Sequence, residues 1–206
     1  MVTDSTMVGN FFSGNHWSES FVAKRNEAFQ LPDANTLTFL KDGYDTIDFS
    51  FPDENGNIIS LSDERFKNKV VLVQIMGTWC PNCLDETKFY ANYYKNNPDT
   101  NLEIVALAFE YVKTEEAALK NIKRLKGNTG ITYSVLLAQY GSSSKVKANE
   151  KLSMLNHVLS YPTTIFIDKT GTVRKIHTGF NGPATGDKFT EFKTEFKSFV
   201  NTLLSE

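Results

Sequence analysis

The chain contains only two cysteines, Cys80 and Cys83, in the run Trp79-Cys80-Pro81-Asn82-Cys83. Thiols at this spacing can hold a metal, cross-link the chain or exchange electrons. A bond between near neighbours closes almost no loop, so it adds little stability. A structural zinc site takes about four ligands. The only histidines are His16, His157 and His177, none paired at ligand spacing, and there is no second cysteine pair. No metal and no other cofactor is therefore expected, and reversible dithiol–disulfide chemistry remains.

That chemistry needs one reactive thiol and one protected thiol, and the surrounding elements supply both. The stretch 69–76 is nearly continuous apolar sequence, the pattern of a strand buried on both faces. From Pro81 to Tyr94 no breaker intervenes, and Leu84, Phe89, Tyr90, Tyr93 and Tyr94 fall near helical spacing. Cys80 thus stands where a strand gives way to a helix, with Pro81 suited to the first helical turn. Unpaired N–H groups and the helix dipole favour a thiolate there. Cys83 lies one turn inward. Cys80 is expected to be the exposed nucleophile and Cys83 the buried resolving thiol. Glu86, three residues beyond Cys83, shares the same helical face; the plainer alternative is an exposed helix glutamate beside Asp85.

The remaining sequence sets these elements into an α/β architecture. Asn55-Gly56 marks a tight turn within a β-hairpin spanning about 46–61. A second buried strand at 102–109 completes a strand–helix–strand unit with the 69–76 strand, implying a parallel pair. Thr114 is an expected N-cap, followed by Glu115 and Glu116, with Lys123, Arg124 and Lys126 late in the helix and Gly127 as its stop. A strand at 132–137, a loop at 142–144 and a weak helix at 146–155 come next. Strands at 163–167 and 173–178 form a hairpin about Lys169-Thr170-Gly171. Phe189, Phe192, Phe196, Phe199, Val200, Leu203 and Leu204 draw an apolar stripe on a C-terminal helix. Residues 1–45 differ from the rest. Trp17, Phe21, Val22 and Phe29 are spaced for a helix face, which Leu31-Pro32 ends. This segment is expected to be an extension packed on the main domain, 46–206, or the remnant of an upstream domain.

Composition narrows the partners. With 206 residues, 40% of them hydrophobic, and a net charge of −2, the chain can build a core but offers no electrostatic case for nucleic acid. Its apolar runs fall short of the ~20 residues of a membrane span. The first residues lack the basic start and apolar stretch of a signal peptide, so a cytoplasmic protein or one without its targeting segment is expected.

The run Gly77-Thr78-Trp79-Cys80-Pro81-Asn82-Cys83-Leu84-Asp85-Glu86 resembles the active site of the thioredoxin superfamily. More narrowly it resembles the TlpA/ResA-like branch of exported thiol-disulfide oxidoreductases, an AhpC/TSA-like thioredoxin-fold domain. The likeness runs from about Thr46 to Glu206. It implies a mixed central sheet flanked by helices, with an N-terminal β-hairpin and a central insertion between Phe109 and Pro162. It also implies a cis-proline at Pro162 in Tyr161-Pro162-Thr163, opposite the dithiol, with the Tyr161 backbone offered to an extended substrate. Trp79 is expected to be a lid over the dithiol or else part of the core, and the resemblance makes Glu86 a group that tunes thiol pKa and relays protons. Where thioredoxin carries a buried aspartate, six positions before the first cysteine, this chain has Gln74, which moves that role toward Glu86. Glu110 falls near the site or is a strand-end surface charge. Asn82 is neutral where the strongest oxidants carry a histidine, which suggests a reductant or a moderate oxidant. His157 and His177 are expected to be packed or surface residues.

The implied activity is disulfide exchange on exported, periplasmic protein substrates, with a membrane or soluble thiol as electron donor. A peroxiredoxin-like thiol peroxidase is the enzymatic alternative. Peroxidases of that kind place the cysteine in a Thr-x-x-Cys context with a partner arginine, whereas here Thr78 is two before Cys80. A redox-inert interaction module is the third reading.

Overall fold

The computed structural model describes residues 1–13, 17–98, 101–142 and 144–206. Two compact units divide at Pro32/Asp33.

The first unit contains an antiparallel hairpin of β1 (Thr6–Ser13) and β2 (Trp17–Lys24), paired from Thr6 opposite Lys24 to Ser13 opposite Trp17. The helix expected over Trp17–Phe29 is therefore a strand ending at Lys24. Its helical spacing was incidental. Pairing with a partner strand upstream decides the conformation, and the Phe21 ring lies over Gly9, where a Cβ would sit only 3.0 Å from it. His16 falls outside the described residues.

The second unit begins with a loop that is hydrogen-bonded into it. Thr178 N–H donates to Ala34 O (2.9 Å), Lys41 N–H to Met154 O (2.9 Å) and Val173 N–H to Asp45 O (2.8 Å). Residues 33–45 thus belong structurally with the sheet-bearing unit, and the division comes earlier than the composition change near residue 45 suggested. A short hairpin of β3 (Ser50–Pro52) and β4 (Ile58–Ser60) comes next. Its turn is held by Asp53, whose Oδ1 accepts from the N–H groups of Asn55 (2.8 Å) and Asn57 (2.9 Å).

The core elements then run in the order β5 (Val70–Met76), α1 (Pro81–Lys95), β6 (Leu102–Phe109), α2 (Glu115–Thr129), β7 (Ser134–Gln139), α3 (Lys145–Lys151), β8 (Thr163–Ile167), β9 (Val173–Thr178) and α4 (Asp187–Ser205). The central sheet has the order β7-β6-β5-β8-β9. Its β5/β6 and β6/β7 pairs are parallel, and its β5/β8 and β8/β9 pairs antiparallel. All seven residues of β5 are buried, because it lies mid-sheet with both faces covered. Val70, Leu72 and Met76 join a cluster with Tyr90, Ile122, Phe196 and Leu203. Val71, Val73 and Ile75 join the other, with Phe49, Phe66, Leu152 and Leu155. By the two-residue alternation of a strand, Gln74 faces the same side as Leu72 and Met76, toward α1.

Two helix ends differ from expectation. α2 runs through Gly127 to Thr129, and Gly130, at φ +68°, makes the left-handed cap. α3 stops at Lys151 rather than Leu155. Leu152 and Leu155 are fully buried, and Leu155 pairs with Leu40 in an isolated bridge. Among the described residues, no helix is long and apolar enough to cross a membrane.

Phe196 is one of the four buried residues, with Phe192, Val200 and Leu203, by which helix α4 packs on the core. Its ring lies 5.0 Å from Phe89, 5.0 Å from Tyr93, 5.5 Å from Tyr90 and 6.0 Å from Phe166. Truncation there removes an aromatic hub joining α1, α4 and the sheet. Phe196→Ala is expected to cost about 3–5 kcal/mol in urea unfolding; a loss under about 1 kcal/mol would show that the cluster refills the space.

Candidate active site

The end of β5 and the start of α1 place the dithiol. Cys80 is the N-cap of α1 and Pro81 its first residue. The Cys80 N–H donates to Gly77 O (3.1 Å), closing a turn after β5, and Cys80 O accepts from Leu84 N–H (3.1 Å). Its Sγ takes the capping role of a serine oxygen and accepts from Cys83 N–H at 3.3 Å. Both cysteines are free thiols. The expected exposed nucleophile is in fact mostly enclosed: Cys80 is 7% exposed and Cys83 0%. The Sγ lies between the helix terminus and Tyr161 O, to which it donates at 3.7 Å.

The two sulfurs titrate in opposite directions. Cys80 is lowered to about 7, chiefly by the hydrogen bond from the Cys83 thiol, against a burial penalty, with help from the Cys83 and Asn82 amides. Burial pushes Cys83 far upward, reinforced by its hydrogen bond to Cys80 and by the negative charge that Cys80 acquires. A single turn of helix thereby holds one thiol that ionises near neutrality and one that keeps its proton.

The strand opposite brings in Tyr161, Pro162 and Thr163. Thr163 pairs with Ile75 across the β5/β8 ladder, so the residues just before β8 come alongside the end of β5. The Tyr161–Pro162 peptide bond is cis. Pro162 O accepts from Gly179 N–H (2.8 Å), while the buried Thr163 donates its hydroxyl to Ser160 O (2.9 Å).

Beneath the dithiol, Glu86 is fully buried rather than surface-exposed. Its Oε2 accepts from Gln74 Nε2 (2.8 Å), and its Oε1 lies 3.2 Å from the hydroxyls of both Tyr90 and Thr164. Gln74 Nε2 also reaches Cys83 O (3.5 Å), and Gln74 Oε1 accepts from Thr87 Oγ1 (3.2 Å). Burial raises the Glu86 carboxyl to about 8, overcoming these hydrogen bonds. Gln74, Tyr90, Thr87 and Thr164 are members of this network that sequence reasoning left without a role. A polar Gln74 inside an otherwise apolar strand was the available signal, as was Tyr90 one turn after Glu86.

Glu110 is buried as well, at the exit of β6, and is not a surface charge. Its carboxylate accepts from both the N–H and the hydroxyl of Thr78, each at 2.7 Å. Trp79, 38% exposed, donates Nε1 to Phe109 O (2.9 Å) and meets Tyr111 and Tyr161 edge-on at 5.5 and 5.7 Å. Gly77 is required here, since a Cβ would run into the indole. Asn82 donates Nδ2 to Phe180 O (3.2 Å). His157 is exposed, and His177 bonds Asn35 Oδ1 through Nδ1 (2.9 Å) in the Asp33–Glu206 unit; neither contacts the dithiol.

A strand-to-helix dithiol beside a proline-led strand, on a mixed five-stranded sheet, defines a thioredoxin-fold redox protein. The sequence profile of the AhpC/TSA family matches residues 43–176, and the chain belongs to that family. It is 31% identical to the thiol-disulfide oxidoreductase ResA of Bacillus subtilis over 142 residues, covering 68% of this chain and 69% of that one. The thioredoxin-like protein YneN of the same organism is 28% identical over 140 residues, 68% of this chain and 73% of that protein. A solved thiol-disulfide isomerase from Corynebacterium glutamicum superposes with a TM-score of 0.59 at 17% identity, over 81% of this chain and 99% of the other, so it shares the fold. The protein is a thiol-disulfide oxidoreductase of thioredoxin-like fold.

The raised Glu86 pKa has a stability signature. The folded protein holds a proton that the unfolded chain releases, so this group's contribution falls as pH rises from about 4.5 to about 8. His177, lowered to about 4 by burial, works the other way over part of that range, and Cys80 does so only above about 7. The difference between Glu86→Gln and wild type isolates the carboxyl. Between roughly pH 5 and pH 6.5 the variant is expected to gain relative stability by on the order of 1 kcal/mol per pH unit. Parallel urea-unfolding profiles would place the carboxylate in an ordinary solvated setting.

Proposed function

We propose that Cys80 attacks and Cys83 resolves in the reduction or exchange of disulfides in exported proteins. The observation that carries this reading is the placement of Cys80 Sγ at the start of α1, 3.3 Å from the Cys83 N–H, with Cys83 fully buried one turn on. The opposed shifts of the two thiols agree with it. The Cys80 thiolate attacks one sulfur of a substrate disulfide, forming a mixed disulfide and expelling the other sulfur as a thiolate that takes up a proton. Cys83 then gives up its proton and attacks Cys80 Sγ, breaking the mixed disulfide and expelling the second substrate sulfur as a thiolate that takes up a proton. The products are the Cys80–Cys83 disulfide and a reduced substrate, whose two electrons came from the dithiol. A thiol donor, soluble or in the membrane, returns two electrons for the next cycle.

The neighbouring groups support the steps. Once Cys80 is bound to substrate, its charge is gone, and that charge is one of the causes holding Cys83 protonated. Glu86 is one of the groups that hold the Cys83 thiol protonated. With its own carboxyl raised to about 8, it is the buried group suited to take that proton, and does so only in its ionised fraction. Tyr161 O lies 3.7 Å from Cys80 Sγ, and the Trp79 ring meets Tyr161 edge-on. An extended substrate backbone would therefore lie along the Tyr161–Pro162 segment ahead of β8, whose own edges are paired with β5 and β9, with Trp79 as the lid. Asn82 adds no positive charge to stabilise the thiolate further, which favours a reductant or moderate oxidant over a strong oxidant. An exported, periplasmic site of action rests on the resemblance to the ResA-like branch.

The arginines weigh against the peroxidase alternative. Among the described contacts, Arg25 pairs with Glu27, Arg65 with Asp63 and Arg174 with Asp168 and Glu206, while Arg124 bonds Asn121. The Thr78 hydroxyl is committed to Glu110.

In an insulin-reduction assay, Cys80→Ser is expected to abolish activity, and Cys83→Ser to reduce it strongly while accumulating a mixed disulfide. Full activity in Cys83→Ser would sink the two-step mechanism. Alkylation of Cys80 by iodoacetamide should follow a midpoint of about pH 7 in the wild type and move upward in Cys83→Ala, which removes the thiol donor that is the chief cause of the lowering.

A further inference from the structure

Two consecutive residues at the end of β6 grip two consecutive residues of the loop that delivers Cys80. Phe109 O accepts from the Trp79 indole at 2.9 Å. Glu110 divides its carboxylate, Oε1 accepting from Thr78 N–H and Oε2 from Thr78 Oγ1, both at 2.7 Å. Asn121 of α2 adds a longer hydrogen bond to Oε2, 3.4 Å, and the Glu110 N–H donates to Gln139 O at 2.8 Å. Glu110 is therefore tied to β7 by its backbone and to α2 by its side chain. A buried carboxylate is costly unless its lone pairs are satisfied. Here the two shortest of those hydrogen bonds go to an irregular loop, not to a cation.

That loop leaves little freedom once Thr78 is held. Gly77 has no room for a side chain beside the indole, and Gly77 O accepts from Cys80 N–H at 3.1 Å. The turn 77–80 in turn sets where Cys80 Sγ meets Cys83 N–H. We propose that Glu110 is a positioning residue for disulfide exchange, clamping Thr78 so that the turn holds the Cys80 sulfur at the helix terminus and Trp79 against Tyr111 and Tyr161. The proposal rests on the reading of Cys80 as the attacking sulfur. Glu110 itself touches no sulfur and moves no proton. What counts is a pair of correctly placed polar atoms and not the charge. Glutamine keeps both, because its oxygen can accept from Thr78 N–H and its amide can donate to the Thr78 hydroxyl, which accepts as readily as it donates. Alanine keeps neither.

The test compares wild type, Glu110→Gln and Glu110→Ala, each in a Trp17→Phe background so that emission reports on Trp79. Three readouts are taken: the insulin-reduction rate, the pH midpoint of Cys80 alkylation and the Trp79 emission maximum. Loss of sub-ångström placement costs reactivity steeply, so Glu110→Ala is expected to slow exchange about tenfold, raise the alkylation midpoint and redden the emission, with Glu110→Gln within about twofold of wild type. A wild-type rate and midpoint in Glu110→Ala overturns the clamp. A loss in Glu110→Gln equal to that in Glu110→Ala overturns it too, since charge would then be the cause. If Glu110→Ala does not fold, Thr78→Val carries the test by deleting the hydroxyl bond alone. A roughly threefold loss with reddened emission supports the clamp, and unchanged rate and emission refute it. Cys80→Ser is run alongside. Exchange persisting in that variant would refute the reading of Cys80 without reference to Glu110.

Discussion

A sulfur occupies the position where an N-cap oxygen normally sits, and the site is organised around that substitution. The Cys83 thiol does most to stabilise the negative form of Cys80. Because Cys80 Sγ also accepts from Cys83 N–H, the unsatisfied amides that any helix must present at its start add to it. The geometry requires α1 to begin immediately beyond a strand whose end is fixed. Strand β5 meets this demand by lying in the middle of the sheet, paired on both edges and covered on both faces. The same hydrogen bonding that buries β5 aligns Thr163 with Ile75, which brings the Tyr161 carbonyl to the sulfur.

Two buried carboxylates flank this arrangement and solve the problem of burial differently. Glu86 lies among neutral donors with no cation among its hydrogen-bond partners, and burial lifts its proton affinity into the neutral range. Glu110 is satisfied instead by a backbone amide and a hydroxyl of the loop before Cys80. One carboxyl holds its proton near neutrality beneath the dithiol, and the other is bonded to the loop before Cys80.

Much of this was legible beforehand because its signals are local. The breakerless run after Pro81, the continuous apolar stretch before Gly77 and the Asn55-Gly56 turn each dictate one element through short-range sterics and burial. The N-terminal segment shows the limit. Trp17, Phe21 and Val22 match a helix face, yet they form a strand, because a strand is completed by a partner that local spacing does not reveal. Gly127 looked like a helix stop and is not one, since Gly130 can also adopt the left-handed cap and lies where the chain must turn into β7. Glu110 could equally have been a surface charge, because nothing in Phe109-Glu110-Tyr111 announces that Thr78 will meet it.

By itself, then, the sequence determined the pair Cys80 and Cys83, their place at a strand-to-helix junction and the α/β order of the elements around them. These depend on residue type, spacing and backbone preference over a few neighbours. Only the tertiary structure decided that Cys80 is nearly enclosed, that Gln74 joins Glu86 to the Cys83 carbonyl, and that Glu110 grips Thr78 across 32 residues of chain. Burial and long-range hydrogen bonds exist only after the sheet has assembled. The chemistry of the dithiol was written locally, whereas its tuning depends on which distant groups lose their water beside it.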